Sequence, residues 1–598
     1  MKLIIYQVLP RLFGNKGRKA SHRAKGNTQN GTIEENGVGK FSMFTPKVLK
    51  GLKDFGYTHV WYTGVLDHAT QTDYSKIGQP TNHRAVVKGK AGSPYAVRDY
   101  YNVDADLADK PEERMQEWEK LIARTHKAGL KVIMDFIPNH VARNYNSISA
   151  PEGVEPLGAG DREDWHFWHD NNFYYCVNES FSPQFDREDY VEFPARATGN
   201  DCFSASPGVN DWYETVKLNY GVDYCGGGAT HFNPHPDTWH KMLQILLFWA
   251  SKGVDGFRCD MAEMVPVEFW HWAIAHVKRV HPEIIFIAEV YNPAQYRSYI
   301  HHGGFDYLYD KVGLYDTLRS VVQGQGTAEA ITYAWQAVDD IKDHMLNFME
   351  NHDEQRIASQ FFAGDAVKGF PAMAVSTLIS ASPVMVYAGQ ELGENAHEAE
   401  GFSGFDGRTT IFDYWKVESL CRLQSSDYGL QIGESVIYDL YRRLIGVANS
   451  DVVAEGKFYD LMWLNQRNPQ FDSFRQYAFV RYTDKEVLFV VANFAGEERE
   501  VRVNLTHHLF EAMNNFERSE KLSTLNSNLS RSCSSWRPRT KTCIHRRLPT
   551  KRSRIIATDV CADRQSGGQT LPYARHHTCY RRTISYRKTL CHISKQRM

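Results

Sequence analysis

The sequence predicts an α/β protein whose parallel sheet closes into a (β/α)8 barrel with helices outside it. Short runs of β-branched and aromatic residues alternate along the 598-residue chain with amphipathic, helix-like stretches, as in folds built on parallel strands. The runs are continuously apolar, which indicates a sheet buried on both faces. A doubly wound sheet shares both features, and the spacing of the runs is what favours the barrel.

The first element is a strand near the N-terminus. Residues 3–9 are apolar except for Gln7, and Pro10 ends the run. A signal peptide needs an uninterrupted apolar stretch of about 7–15 residues and a small-residue cleavage site. We therefore expect a buried first strand in a cytoplasmic protein. The scattered cysteines before residue 530 agree with reduced thiols.

Further strands and helices follow in alternation. No apolar run approaches the ~18 residues that cross a bilayer, so a membrane protein is not expected. The predicted strands are Thr58–Thr63, Lys131–Phe136, Val254–Arg258, Ile284–Glu289, His344–Met349 and Val384–Ala388. The predicted helices between them include Arg114–Ala128, Trp239–Lys252 and Val267–Val280.

The spacing of acidic residues at strand ends defines the domains. Asp135 and Asp260 are 125 residues apart, which is far longer than one βα unit, and the stretch between them is rich in Asn, Gly, Tyr and Pro. Glu289 follows Asp260 by 29 residues, one βα unit, and Asp353 follows by 64, about two units. We therefore expect a barrel of residues 1–140 and 226–450, with a small domain of residues 141–225 inserted after the third strand.

A small antiparallel domain of residues 451–510 is predicted after the barrel. Gln476–Tyr482 and Glu486–Asn493 flank a short polar turn and are typical of a β-hairpin, and Arg499–Val503 follows as a further strand. No obvious closing strand comes after it, so this domain is expected to be incomplete.

The last segment, residues 511–598, differs in composition from the rest. Residues 531–598 hold 17 Lys and Arg but 2 Asp and no Glu, so the net charge of −2 averages a strongly basic tail with an acidic body. A nucleic-acid-binding arm or a zinc module would explain the Arg, Cys and His, although no C-x2-C pair is present. Few aliphatic residues predict disorder. Translation in a shifted reading frame explains the abrupt change better than a binding arm.

Four segments end an apolar strand in charged or imidazole groups: residues 133–140, 256–260, 286–290 and 351–354. In a barrel the carboxyl ends of the strands converge on one face, so their carboxylates meet in one pocket. Mutual repulsion then lets one of them stay protonated near neutral pH. A carboxylate nucleophile beside a carboxylic acid is the equipment for retaining glycoside hydrolysis. Taken singly, each group could instead be a helix cap, an ion-pair partner or a structural histidine.

Together these segments resemble the signature regions of the α-amylase family, glycoside hydrolase family 13, over roughly residues 1–505. Residues 6–13, 93–100 and 382–391 also resemble the family's first strand, its Tyr-x-x-x-Asp-Tyr segment and its eighth strand. The resemblance implies a (β/α)8 TIM barrel with an inserted small domain after strand 3 and a small antiparallel β C-terminal domain.

The resemblance also implies roles by position. Asp260 is the expected nucleophile, Glu289 the general acid and base, and Asp353 the residue that holds the sugar hydroxyls and favours an oxocarbenium-like transition state. Arg258 is expected to keep Asp260 ionised, because a nearby cation favours the charged carboxylate. We expect a retaining glycosidase that cleaves α-1,4 bonds of starch-derived maltodextrins.

Four further residues are expected to bind substrate or organise the pocket. His140 and His352 would donate hydrogen bonds to one sugar, Tyr95 would stack under its ring, and Asp135 would support the pocket from behind. A transglycosylase of the same family, such as a branching or trehalose-forming enzyme, uses the same intermediate and stays open. A non-catalytic member that only binds glucan would usually lack the three carboxylates.

Two departures from the family pattern concern the inserted domain and the leaving-group side. Residues 261–264 replace a Lys-His pair that follows the nucleophile in many α-amylases, which leaves the aglycone preference open. Asn139 and Asn219 fall where calcium ligands often lie, but two amides without a carboxylate make a weak calcium site. No cofactor is expected to be required, and a structural calcium is possible.

Overall fold

The computed structural model describes residues 2–15, 31–398, 400–423, 432–497 and 499–513, together with the backbone of three short strands between residues 555 and 597. In the described part of the chain, no helix is both long and apolar enough to cross a membrane. The predictions for the basic tail fall largely outside these residues and stay predictions, as do the domain boundaries.

Eight parallel strands form one sheet at the centre of the molecule. They are β1 (Ile4–Val8), β2 (His59–Tyr62), β3 (Lys131–Phe136), β4 (Gly256–Cys259), β5 (Ile285–Ala288), β6 (Tyr307–Tyr309), β7 (Met345–Leu346) and β8 (Val384–Tyr387). Each strand pairs with its neighbour in sequence, and β1 also pairs with β8. A single parallel bridge between Asn347 and Val384 joins β7 to β8 and closes the ring. The predicted (β/α)8 barrel is confirmed.

The strands have the two-sided burial that the sequence predicted. Every residue of β1, β2, β4 and β8 is buried, so the sheet is covered by side chains inside the barrel and by helices outside. The strand predictions agree to within a few residues, except that β6 was not predicted and β7 is much shorter than the predicted run His344–Met349. With three residues, β6 is too short for a pattern to reveal.

α-Helices follow every barrel strand except β5, which is followed by a π-helical turn at Ser298–His302. They are α1 (Pro46–Phe55), α2 (Arg114–Lys127), α3 (Asp237–Ser251), α4 (Val267–Val280), α5 (Asp316–Val322), α6 (Ala330–Ala337), α7 (Ala366–Leu378) and α8 (Ile432–Ala448). Shorter helices of four to six residues lie at Ile33–Asn36, Glu418–Arg422, Asp451–Ala454, Met462–Asn465 and His507–Ala512. Local chemistry sets the ends of α1: the Thr45 side chain accepts a hydrogen bond from Val48 N at 3.2 Å, and Gly56 ends the helix at φ 116°.

The segment between β3 and α3 lies at the carboxyl end of the barrel and holds short antiparallel pairs instead of long elements. His140–Ala142 pairs with Thr215–Lys217, and Tyr175–Cys176 pairs with Ala195–Arg196. The first pair begins directly after β3, so it fixes one side of the segment to the rim of the barrel.

An antiparallel sheet follows the barrel. Its strands are β9 (Lys457–Asp460), β10 (Gln476–Tyr482) and β11 (Glu486–Asn493), and β12 (Val501–Leu505) lies apart from them. The predicted hairpin of β10 and β11 is confirmed, whereas β9 was not predicted. Three tail strands add to these sheets: β13 (Ile555–Thr558) and β11 both pair with β15 (Cys591–Arg597), and β14 (Arg582–Tyr586) pairs with β12.

Candidate active site

The predicted site residues lie at the carboxyl ends of neighbouring barrel strands. Asp135 lies in β3, Asp260 directly follows β4, Glu289 directly follows β5, and Asp353 lies in the loop after β7. Backbone hydrogen bonds extend the parallel ladder to two of them: Asp260 N donates to the carbonyl of Phe136 at 2.9 Å, and Glu289 N donates to that of Cys259 at 3.1 Å. The sheet itself therefore sets the positions of Asp260 and Glu289.

Arg258, in β4, connects the carboxylates. Its side chain is fully buried, and its Nη1 donates to Asp260 Oδ1 at 2.6 Å, while its Nη2 lies 2.8 Å from Glu289 Oε2. Asp135 Oδ1 lies 3.8 Å from Nη1. Because a guanidinium is planar and cannot lose its charge at ordinary pH, it holds the two carboxylates at a fixed spacing.

Burial and neighbouring charges shift the pKa values of Asp260 and Asp353. Burial raises the pKa of Asp260 well above its usual value, the Arg258 guanidinium lowers it, and the neighbouring Glu289 raises it. Burial and then the charge of Glu289 raise the pKa of Asp353 to about 7. Close carboxylates cannot all ionise at once without a large cost, and a pKa of about 7 leaves Asp353 partly protonated near neutral pH.

A cavity of about 750 Å³ opens above these groups. Asp260, Glu289 and Asp353 line it together with Tyr95 and His140, and Asp353, with 34% of its side chain exposed, faces solvent most. The volume falls within the range of pockets that take small ligands. Burial and then the charge of Lys217 lower the pKa of His140 to about 3, so its imidazole is neutral and can both donate and accept a hydrogen bond.

Beneath the cavity floor, His352 is the centre of a hydrogen-bonded group. Its Nδ1 lies 2.8 Å from Gln7 Nε2. Its Nε2 contacts the Tyr95 hydroxyl and also lies 3.1 Å from Asp353 Oδ2. The rings of Tyr95 and His352 stack with centroids 5.1 Å apart. Asp135 Oδ2 accepts a hydrogen bond from Gly64 N at 2.8 Å, and burial raises its pKa to about 6. His352 and Asp135 thus lie behind the residues that line the cavity.

Several contributing residues were not identified from the sequence. Tyr291 lines the cavity, and its hydroxyl donates to Glu289 Oε1 at 2.6 Å. Met261 N donates to Glu289 Oε2 at 2.8 Å from a backbone with φ 42°. Trp61 and Tyr309 face the Arg258 guanidinium at 5.4 and 5.5 Å. Tyr291 could have been identified from the sequence, because it lies two residues after Glu289, at the carboxyl end of a predicted strand.

The side-chain oxygens of the two residues considered for calcium both have partners in the chain. Asn139 Oδ1 already contacts the Lys217 ammonium, and its amide nitrogen donates to the carbonyl of Gly199 at 2.7 Å. Asn219 Oδ1 accepts from Gly221 N at 2.8 Å, and its amide donates to the carbonyl of Trp168 at 2.9 Å. A calcium ion takes six to eight oxygens, and here a cation of the chain stands beside Asn139 instead.

Known proteins match the region that holds this site. The family model described as alpha amylase, catalytic domain, matches residues 7–418. An alpha-amylase of Haloarcula japonica is 25% identical over 451 residues, which are 75% of this chain and 51% of that protein. An alpha-1,4-glucan:maltose-1-phosphate maltosyltransferase of Rhodospirillum rubrum is 29% identical over 290 residues, 46% of this chain and 35% of that protein. The matched part of this chain thus spans about half of the first relative and a third of the second.

Solved structures share the fold. A maltogenic alpha-amylase from Thermotoga neapolitana superposes with a TM-score of 0.54 at 20% identity, over 84% of this chain and 88% of that one. The family model covers more than half of the chain and includes every site residue from Tyr95 to Asp353. The chain belongs to the alpha-amylase family.

Proposed function

We propose that the protein is a retaining glycoside hydrolase that cleaves α-1,4-glucosidic bonds of starch-derived maltodextrins. The observation that carries this proposal is the position of Asp260 and Glu289 on the two arms of one buried guanidinium, at the wall of a cavity that Asp353 also lines. This arrangement supports Asp260 as nucleophile and Glu289 as proton donor, the pair that retaining glycoside hydrolysis requires, with a third carboxylate on the same face of the barrel.

In the first step, a carboxylate oxygen of Asp260 attacks the anomeric carbon and forms a covalent bond to it. The bond from that carbon to the glycosidic oxygen breaks, and the oxygen takes the proton of the Glu289 carboxyl as it leaves. The Tyr291 hydroxyl, 2.6 Å from Glu289 Oε1, can donate to the carboxylate or accept from the carboxyl, so it orients this group in both protonation states.

In the second step, water attacks the same carbon from the face that the leaving group vacated. Glu289, now ionised, takes a proton from the water, the bond to Asp260 breaks, and the sugar leaves with its original anomeric configuration. Asp353 lines the cavity beside these two groups and binds hydroxyls of the reacting ring. Tyr95 and His140 line the same cavity and supply a ring face and a neutral imidazole for that sugar.

Transfer to a sugar hydroxyl in place of water is the second candidate. The relative in Rhodospirillum rubrum carries the name of a maltosyltransferase, and water and an acceptor hydroxyl compete for the same intermediate. The presence of Asp260, Glu289 and Asp353 argues against a non-catalytic family member that only binds glucan. The five cysteines before residue 500 are free thiols, which supports a reducing compartment and therefore the cytoplasm.

Product analysis on maltoheptaose tests the proposal. We expect shorter maltodextrins, each initially in the α-anomeric form; longer or rearranged products would show that transfer dominates. Asp260→Asn should abolish turnover and leave glucan binding intact, whereas Asp255→Asn, at the partly exposed opposite end of β4, should keep full turnover as a matched control. Retained turnover in Asp260→Asn would refute the assignment of the nucleophile.

A further inference from the structure

Lys217 ends a short strand of the segment inserted after β3, and its charged group is enclosed. Only 2% of its side chain is exposed. The ammonium contacts Asn139 Oδ1, lies 2.7 Å from Asp201 Oδ1, and donates to the carbonyl of Met264 at 3.3 Å. These oxygens belong to three separate parts of the chain: the turn after β3, the inserted segment, and the turn after β4.

The number and charge of these partners match an ammonium group. A lysine ammonium has three N–H donors, and three oxygens surround it, of which one belongs to a carboxylate. The cluster is therefore neutral and each donor has an acceptor, which is the condition under which a buried charge is tolerated.

The same oxygens are not available to a calcium ion while the ammonium contacts them. Calcium takes six to eight oxygens at 2.3–2.6 Å, some of them from water, and Asn219, the other predicted ligand, hydrogen-bonds Gly221 N instead. The ammonium already occupies the space between Asn139, Asp201 and Met264, so a metal ion could enter only by displacing it.

We propose that Lys217 Nζ serves as a built-in cation that holds the inserted segment to the turns after β3 and β4, and that this junction is independent of calcium. Its position matters for the pocket. Asn139 is the neighbour of His140, and Met264 follows Asp260 by four residues, so the ammonium ties together two segments that each supply a cavity-lining residue.

Thermal unfolding of the full chain at a fixed scan rate tests the proposal. The Tm of the unaltered protein should be the same within about 1 °C in EDTA and in about 10 mM CaCl2, and elemental analysis after dialysis should find no bound calcium. A Tm that falls in EDTA and returns with calcium, or one calcium per chain, would overturn it.

Two variants separate this role from ordinary burial of a lysine. Lys217→Ala leaves Asp201 and two buried oxygens without a cation, so its Tm should fall by about 5 °C or more in EDTA. Calcium at about 10 mM should restore part of that loss, because the vacated space then lies beside a carboxylate and two neutral oxygens. An unchanged Tm in EDTA, or no calcium-dependent gain beyond that of the unaltered protein, would contradict the proposal.

The matched control is Lys241→Ala. Lys241 is buried to a similar degree and lies 3.0 Å from Asn172 Oδ1 and 2.7 Å from Asp237 Oδ2, but no backbone carbonyl joins that pair. Its Tm should also fall, without a gain from calcium. Equal calcium rescue of both variants would show a general effect of the ion and overturn the assignment of a specific cation position.

Discussion

Replacing Arg258 by methionine should silence the enzyme near neutral pH and let activity return as the pH rises. The guanidinium contacts Asp260 at 2.6 Å and Glu289 at 2.8 Å with no solvent exposure of its own. For charge centres about 4 Å apart at an effective dielectric constant of about 20, the lost attraction to one carboxylate is about 4 kcal/mol. That corresponds to a factor of about 10³ in the ionised fraction of Asp260.

The sign follows from the chemistry of the nucleophile. Asp260 must be ionised to attack, and removal of the cation raises its pKa further, so at pH 7 we expect kcat/KM on maltoheptaose to fall by about 10³-fold. The assay is the pH dependence of kcat/KM from pH 5 to 9, in which the rise that follows ionisation of Asp260 should lie at a higher pH in Arg258→Met than in the unaltered enzyme.

Arg258→Lys is the matched variant, since it keeps one positive charge but contacts a single carboxylate. The kcat/KM of Arg258→Lys at pH 7 should be about tenfold to 100-fold below that of the unaltered enzyme, and therefore above that of Arg258→Met. Circular dichroism and Tm establish that each variant is folded. A profile for Arg258→Met that is merely lowered and parallel to that of the unaltered enzyme, or a loss below tenfold, would refute the electrostatic role of Arg258.

Three other changes probe stability. Burial raises the pKa of the Asp353 carboxyl to about 7, so the folded state loses stability as the pH rises from about 4 towards 7. Asp353→Asn should therefore lessen the fall of Tm between about pH 4 and pH 7; an equal fall in both proteins would contradict this. Arg356→Met should cost about 3–5 kcal/mol in urea unfolding, because it leaves Glu350, 3.0 Å from Arg356 and fully buried, without its cation. Gly92→Ala should lower the free energy of unfolding more than Gly153→Ala does, although φ is near +80° at both residues. A Cβ at residue 92 would lie 1.7 Å from the carbonyl oxygen of Ala69, whereas no atom lies within 4 Å of a Cβ at residue 153. Equal urea midpoints for the two variants would show that the contact with Ala69 relaxes.

The barrel could be predicted from the sequence wherever a strand was long enough to carry a pattern. Lys131–Phe136 matches β3 residue for residue, and the helix Val267–Val280 matches α4. The three-residue β6 and the two-residue β7 are held by pairing with their neighbours rather than by a run of apolar residues. Short strands of this kind depend on the rest of the ring, so local composition does not reveal them.

The charged residues of the candidate site could be predicted from the sequence, but the residues that hydrogen-bond and position them could not. Asp260 and Glu289 each interrupt an apolar strand at its carboxyl end, which made them visible in the sequence. The contributions of Tyr291 and Gln7 depend on side-chain directions that the folded barrel determines. The role of Lys217 leaves no local pattern in the sequence, because this lysine contacts residues 78 positions earlier and 47 positions later.

The single bridge between β7 and β8 makes that seam the place where the barrel is expected to open first. Other neighbouring strands share at least two paired positions, whereas here one pair at Asn347 and Val384 completes the circle. Free energies of local opening vary widely within one protein, and the fewest contacts give the lowest. Amide hydrogens beside the seam should therefore exchange with solvent ahead of those in β3 and β4. Since Asp353 lies just beyond β7, such an opening would part it from Asp260 and Glu289 before the rest of the barrel unfolds.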